Sequence, residues 1–220
     1  MAAKPNADAL RRMLGIDLPI IQAPMAGGSC TPQLVAEVCK AGGLGSLAGS
    51  LLSPATIAAQ VEQVRSMTDR PFLINLFVQP MPNPSVELVA EGKRLLEPLA
   101  RRIGIDSLPT PAKWCEDFSA QFDALLELRP AAASFTFDIL SAEQVASLHE
   151  AGILVIGMST TVEEALAWER VGADAVIASG TEAAAAGGYC AIVAMPNTEP
   201  VVDTAAVLEA LLERAREEAV

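Results

Sequence analysis

The residues best placed to do chemistry are uncharged, and they lie at the ends of apolar runs. Gly27 and Gly28 follow the first run, where a backbone without side chains could approach a planar ligand or an anion. A purely structural turn is the alternative for this glycine pair. Asn75 is an amide near the carboxyl end of a later run, and a further run is followed by three hydroxyl residues: Ser159, Thr160 and Thr161. Because barrel enzymes bind at the carboxyl ends of their strands, these residues predict a small-molecule site there.

Histidine and cysteine offer little for catalysis. The sequence has one histidine, His149, in a predicted helix and far from every cysteine. An exposed helix residue is therefore the favoured interpretation, and one histidine cannot build a zinc centre. The four cysteines form no Cys-x-x-Cys pair: Cys30, Cys39, Cys115 and Cys190. This spacing argues against a zinc ribbon and a disulfide framework, so we expect reduced thiols and no metal site.

Composition and charge limit the classes of molecule that the protein is expected to bind. The formal net charge of −12 repels phosphate backbones and anionic lipids, so neither nucleic acids nor membrane surfaces are expected to bind. The N-terminus lacks the apolar core of a signal peptide, and no apolar run is long enough to span a bilayer. The sequence therefore predicts a soluble, cytoplasmic protein that binds small molecules. Its 220 residues are interpreted as one domain.

Short apolar runs alternate with longer amphipathic ones, as is typical of a parallel sheet covered by helices. Helix starts are marked by Thr31 and Ser53 before prolines, and by capping boxes at Ser141 and Thr161. Seven runs are predicted as strands: residues 19–23, 44–48, 72–77, 133–137, 154–157, 174–178 and 191–195. Seven strands are one short of a closed barrel. We therefore predict an incomplete TIM-barrel-like (β/α) fold of the α/β class.

The segment between the third and fourth predicted strands is long. Helices are predicted at residues 87–102 and 114–128, after a proline-rich stretch at residues 79–84. We interpret residues 80–130, approximately, as a helical insertion over one mouth of the barrel. A binding lid and a helical pad without function are both compatible with it. The open sheet edge of a seven-stranded barrel favours association, as a homodimer or as aggregates.

Five segments together resemble the nitronate monooxygenase family, formerly called 2-nitropropane dioxygenases: residues 18–28, 41–46, 68–77, 134–137 and 172–178. The resemblance covers roughly residues 10–182. It implies a TIM barrel that binds FMN at its C-terminal mouth and oxidises alkyl nitronates with dioxygen. It also implies that Ala23, Pro24 and Met25 line the flavin ring and that Asn75 hydrogen-bonds it. Gly180 and Glu182 would belong to the loop after the sixth strand.

This sequence departs from the family pattern in two respects. The family has a catalytic histidine beside the flavin, and the corresponding residue here is Ala186, which cannot accept a proton. The family also has two further β/α units whose glycine-rich loops hold the FMN phosphate, and neither is found in this sequence. We therefore expect weakened FMN binding and impaired turnover. A catalytically inert hybrid and a flavin-binding module without turnover are the alternatives.

From about residue 178 the sequence resembles dihydroorotase instead, over residues 178–189, residues 194–203 and a predicted helix at 205–218. This second resemblance implies that Asn197 contacts the substrate. The His-x-His metal strand of that family is absent from the sequence, so zinc-dependent hydrolysis is not expected. The interpretation is a chimera, in which a foreign C-terminal segment is joined to the barrel.

Overall fold

Each strand of the sheet pairs with the strand that follows it in the chain. The computed structural model describes residues 7–179, and there it has five parallel strands in the order β1-β2-β3-β4-β5. The strands are β1 (Gly45–Ala48), β2 (Phe72–Val78), β3 (Ala132–Phe137), β4 (Leu154–Ser159) and β5 (Ala175–Ala178). The helices are α1 (Ala7–Leu14), α2 (Pro32–Lys40), α3 (Pro54–Met67), α4 (Val86–Arg102), α5 (Phe118–Leu128), α6 (Ala142–Glu150) and α7 (Val162–Val171). Sequential parallel pairing with helical connections is the winding of a TIM barrel, so the predicted α/β class is confirmed.

The first predicted strand, residues 19–23, forms only a single parallel bridge between Ile21 and Leu44. The Gln22 amide donates to the Leu44 carbonyl at 2.9 Å, and the Leu44 amide donates to the Ile20 carbonyl at 2.9 Å. Pro24 has no N–H with which to continue this ladder, which explains why the pairing stops. The five strands predicted next along the chain are all present, and residues 191–195 lie outside the described residues.

The helix starts are set by local side chains, as predicted. The Thr31 and Ser53 hydroxyls each accept a bond from a first-turn amide, and a proline follows each of them. Ser141 and Thr161 form complete capping boxes, in which the side chain three residues later bonds back to the cap amide. At the other end of α7, Gly172 adopts a φ of 92°, a conformation that glycine reaches without a Cβ clash.

The two helices between β2 and β3 differ in how they pack. In α5, Phe122 and Leu125 are buried in the main hydrophobic core, so this helix belongs to the helical layer of the barrel. It begins later than the predicted residue 114, because the Asp117 side chain caps it by accepting from the Ala120 amide at 3.1 Å. In α4, by contrast, Ala100 is the one residue described as buried. The larger part of α4 therefore lies outside the core.

Alternate residues of the strands face two different cores. The outer core lies between the sheet and the helices, and it includes Trp168 of α7. The inner core lies on the other face of the sheet, where Leu73, Ile156 and Ile177 pack against Leu14 of α1. This division follows from the two-residue repeat of strand side chains. Among the described helices, none is both long and apolar enough to cross a membrane.

Candidate functional site

Toward the carboxyl ends of the strands, the inner face of the sheet changes from apolar to polar. Leu44, Leu73 and Ala132 belong to the inner core, and residues two or four positions further along each strand share their face. Those residues form what we call the polar row: Ser46 on β1, Asn75 on β2, and Ser134 and Thr136 on β3. The row lies on three neighbouring strands, at the edge where barrel enzymes assemble their active sites.

Asn75 is the centre of the polar row. Its Nδ2 donates to Ser134 Oγ at 2.9 Å and to Thr136 Oγ1 at 3.3 Å, and its Oδ1 accepts from Ser50 Oγ at 3.1 Å. The residue is 3% exposed. A carbonyl oxygen has two acceptor positions, so Oδ1 can accept a second bond. The amide is thus held in one orientation before any ligand arrives.

The position of Asn75 within its strand corrects one sequence-based expectation. The residue was expected near the carboxyl end of its strand, but β2 continues through Val78 because Leu76 and Phe77 keep pairing with β3. Asn75 lies instead level with Ala48, the last residue of β1. Asn75 is therefore level with the carboxyl end of the short strand β1 rather than at the tip of β2.

Ser46 has a hydroxyl that nothing in the described part of the chain satisfies. Its Oγ is buried and has no hydrogen-bond partner among residues 7–179. Both backbone groups of Ser46, in contrast, contact the Gln22 side chain, at 3.0 Å from the amide and 3.4 Å from the carbonyl. An unpaired buried polar group costs about 1–3 kcal/mol. Ser46 Oγ is therefore a buried hydroxyl without a partner among the described residues, which makes it a candidate contact for a ligand.

The loop after the Ile21 bridge is anchored next to the polar row. The Cys30 thiol accepts from the Met25 amide at 2.9 Å and donates to the Ala23 carbonyl at 3.4 Å. Gln22 connects the same loop to Ser46, so the predicted ring-lining residues lie beside the row. They are partly accessible, with Met25 43% exposed: Ala23, Pro24 and Met25. Sequence reasoning did not assign the anchoring role of Cys30.

The hydroxyl residues after β4 are largely engaged in capping α7. Thr160 donates to Glu164 Oε2 from its amide at 2.6 Å and from its hydroxyl at 2.9 Å. These contacts, the backbone amide of Thr160 first, hold the pKa of Glu164 below its usual range. Thr161 accepts from the Glu164 amide at 3.2 Å. Ser159 is the exception, since its buried Oγ has no partner among the described residues.

Neither the histidine nor the described cysteines contribute an ionisable side chain to the polar row. His149 is exposed, as predicted, and its Nε2 lies 2.9 Å from Asp174 Oδ2. Asp174 precedes β5 and also accepts from the Val155 amide at 2.8 Å, so this pair lies at the amino edge of the sheet. Burial raises the pKa of the Cys39 thiol. Residues 7–179 contain no cluster of His, Cys, Asp or Glu suited to a metal ion.

Four residues to which the two sequence resemblances gave a site role lie outside the described residues: Gly180, Glu182, Ala186 and Asn197. The structure therefore brings together one part of the predicted site, namely Asn75 and the loop at residues 23–25. It adds Gln22, Ser46, Ser134 and Thr136, which sequence reasoning had given no role. The alternation of hydroxyl and aromatic residues in β3 is the signal that could have identified Ser134 and Thr136.

The fold and the site together define a TIM-barrel-like protein with a row of neutral hydrogen-bonding side chains toward the carboxyl edge of its sheet. The sequence model of the nitronate monooxygenase family matches residues 8–215. The chain belongs to the nitronate monooxygenase family, whose members depend on FMN. The family resemblance that was inferred from the five sequence segments is thereby confirmed.

Individual relatives agree with this assignment. The chain is 38% identical to a nitronate monooxygenase of Paraburkholderia phytofirmans, over 83% of this chain and 50% of that protein. It is 32% identical to a probable nitronate monooxygenase of Staphylococcus aureus, over 94% of this chain and 58% of the relative. The solved nitroalkane oxidase of Streptomyces ansochromogenes is similar at a TM-score of 0.69 and 35% identity, over 96% of this chain and 58% of that one.

More distant structural similarity supports the fold alone. FabK from Thermotoga maritima matches at a TM-score of 0.55 and 23% identity, over 82% of this chain and 45% of that protein. The chain spans about half the length of the curated relatives that it matches. The family match continues to residue 215, past the join expected near residue 178, and the comparisons give no support to a dihydroorotase segment.

The chemistry of the polar row fits the pyrimidine edge of a flavin. That edge presents carbonyl oxygens and an N–H group, which need neutral donors and acceptors rather than charges. Ser46 Oγ is unpaired among the described residues, and Asn75 Oδ1 has an acceptor position left. The four side chains of the row are not ionisable near neutral pH, so the row can neither neutralise a phosphate nor act as a general base.

Proposed function

We propose that this chain binds FMN at the polar row and serves in the oxidation of alkyl nitronates with dioxygen. Family membership supports the reaction type. The observation that carries the proposal is the neutral row at the carboxyl edge of the sheet, in which the amide of Asn75 is already oriented and the hydroxyl of Ser46 is unpaired among the described residues. A row of hydrogen-bonding groups without charges suits a flavin ring better than it suits an ion.

Each part of the site has a proposed role. Asn75 and Ser46 would hydrogen-bond the polar edge of the flavin, and the loop at residues 23–25 would line its ring. Ser134 would keep the Asn75 amide in place through the 2.9 Å bond. When bound, FMN would accept the electrons that the nitronate loses. Gly180 and Glu182 are proposed, from the resemblance alone, to complete the loop beside the ring.

We also propose that turnover is impaired on neutral nitroalkanes. Their oxidation first requires removal of a proton, and a positioned general base typically contributes about 10²- to 10⁴-fold. The polar row has no such base, and the resemblance assigns the family position of the histidine to Ala186. A nitronate arrives already deprotonated. The expected activity is therefore oxidation of added nitronates with little action on neutral nitroalkanes.

An FMN titration tests the site directly. The Asn75→Ala variant loses the central amide, and we expect its FMN affinity to fall by up to about tenfold, the value of one neutral hydrogen bond. The matched control is Asp174→Ala, which loses two hydrogen bonds at the opposite edge of the sheet. Its affinity is expected to stay at the parent value. Unchanged FMN binding by Asn75→Ala would refute the assigned site.

Flavin binding without turnover is the second candidate function, and Ala186 favours it. It predicts a yellow protein whose oxygen consumption does not rise when alkyl nitronates are added. Measurable oxygen consumption on nitronates would exclude it.

We also propose a cytoplasmic location, supported by the three described cysteines, which are all free thiols.

A further inference from the structure

Helix α4 exposes a continuous apolar stripe. Leu88, Leu95 and Ile103 are 63%, 64% and 67% exposed, respectively. The complete stripe, which we call the α4 stripe, follows one helix face and continues into the C-cap residue Ile103: Leu88, Gly92, Leu95, Leu96, Leu99 and Ile103. Isolated apolar residues on a surface need no explanation, but an apolar stripe along a whole helix marks a contact surface.

The residues of the α4 stripe have the same spacing whether the helix is followed from its N-terminus or from its C-terminus. If two copies of α4 lie antiparallel about a two-fold axis between Leu95 and Leu96, these two residues face each other across the axis. Leu88 of one copy then lies opposite Ile103 of the other. Gly92 lies opposite Leu99, and a Cβ added to Gly92 would meet nothing within 4 Å in its own chain. This self-complementary register is what a two-fold homodimer requires.

The charges beside the stripe favour the same arrangement. Glu87 lies in the first turn of α4 and Arg102 in its last, on the same flank of the stripe. In an antiparallel pair, Arg102 of one copy faces a point on the other copy that is only two residues from Glu87. The two opposite charges are therefore close together. A parallel pair would instead place Glu87 level with Glu87 and Arg102 level with Arg102, so it would bring no opposite charges together. Antiparallel pairing is therefore favoured at both ends of the helix pair.

We propose that the α4 stripe docks a second copy of this chain as an antiparallel helix pair about a two-fold axis between Leu95 and Leu96. The α4 stripe contains no residue of the polar row, and the proposal does not depend on the proposed function. Three observations together support a second copy of the chain as the partner of the α4 stripe. They are the symmetric register, the small residue opposite a large one, and the opposite charges at the two ends.

Sedimentation velocity of the full chain over a concentration series tests the pairing. The parent protein is expected to shift from monomer to dimer as concentration rises. Leu95→Glu places two carboxylates beside the two-fold axis, and it should leave a monomer at every concentration. The matched control is Leu166→Glu on α7, where the same change is made at a leucine that is 44% exposed outside α4. This variant should dimerise like the parent, and circular dichroism should show all three proteins folded.

A charge exchange tests the antiparallel direction. Glu87→Arg and Arg102→Glu should each weaken the dimer by at least several-fold, and the double variant should recover most of the lost affinity. A parent that stays monomeric overturns the proposal, whether a segment of the same chain or another protein covers the stripe. A dimer that survives Leu95→Glu, or a double variant no better than the single ones, overturns it as well.

Discussion

Asn75 and Ser134 are register partners on β2 and β3, and their side chains are joined by a 2.9 Å hydrogen bond from Nδ2 to Oγ. A slip of one residue between the two strands would turn Asn75 toward the helices and break this contact. The orientation of the amide therefore depends on the pairing of two strands that a long segment separates in sequence. Ser134 acts as a positioning residue for Asn75.

Ser134→Ala should lower FMN affinity by a few-fold, less than Asn75→Ala does, because Thr136 still accepts from the amide. The effects of the two substitutions should not add, since Ser134 acts through Asn75. FMN titrations of the parent, the two single variants and the double variant measure this coupling. Strictly additive effects would show that Ser134 contributes independently of the amide.

Ala186→His should raise activity on neutral nitroalkanes selectively. A restored base is expected to increase that rate by about 10²-fold or more, while the rate on pre-formed nitronates changes little. Oxygen consumption with each substrate form, after FMN has been added, gives the comparison. Equal parent rates on both forms would mean that another residue is the base and that the position assigned to Ala186 is wrong.

Gly157→Ala should destabilise the protein by about 1–3 kcal/mol or more, because the added Cβ would overlap the buried Trp168 ring. The same substitution at Gly92 meets no neighbouring atom within its own chain and should be neutral or slightly stabilising through helix propensity. Urea denaturation at a concentration where both variants are monomeric measures the difference. Equal midpoints for Gly157→Ala and the parent would contradict the packing of α7 against β4.

Glu164→Gln should lower stability at pH 7 by up to about 1 kcal/mol, since the near-surface position of Glu164 weakens its contacts. The pKa of Glu164 is lower in the folded protein than the ordinary value of 4.5. Its contribution is thus complete above that value and is lost as the pH falls through the lower, folded pKa. Urea denaturation at pH 7 and pH 3 should therefore show the difference between parent and variant shrinking at the lower pH.

Glu163→Gln is the control for that comparison, because it removes a charge from the same helical turn and leaves the Thr160 contacts of Glu164 in place. It should change the pH dependence less than Glu164→Gln does. If the two variants follow the same profile, the hydrogen bonds from Thr160 are not what stabilises the charged form of Glu164.

Features set by neighbouring residues in the chain could be predicted from the sequence. The caps at Ser53, Ser141 and Thr161 and the glycine that ends α7 depend on local geometry, and the structure confirms them. The apolar runs of the five described strands were likewise recognisable. Their sequential pairing follows from the alternation of strands and helices.

Features set by contacts between distant segments could not be predicted in this way. The polar row exists only because the strand register aligns Ser46, Asn75 and Ser134, and the place of Asn75 in mid-strand depends on continued pairing with β3. The different packing of α4 and α5 also escapes periodicity, since both are amphipathic. Helix α5 buries its apolar face, whereas helix α4 exposes its own.

The strand pairing has a consequence for the order in which the chain folds. Ala132 pairs with Leu154 and Ile156 with Ala175, so the segment from β3 to β5 is built from contacts between near neighbours in sequence. Leu73 must instead find Ala132 across the whole segment that contains α4 and α5. Contacts over long separations carry the larger loop-closure cost and slow folding. The joining of β2 to β3, which also completes the polar row, is thus the step that should limit the folding rate of the sheet.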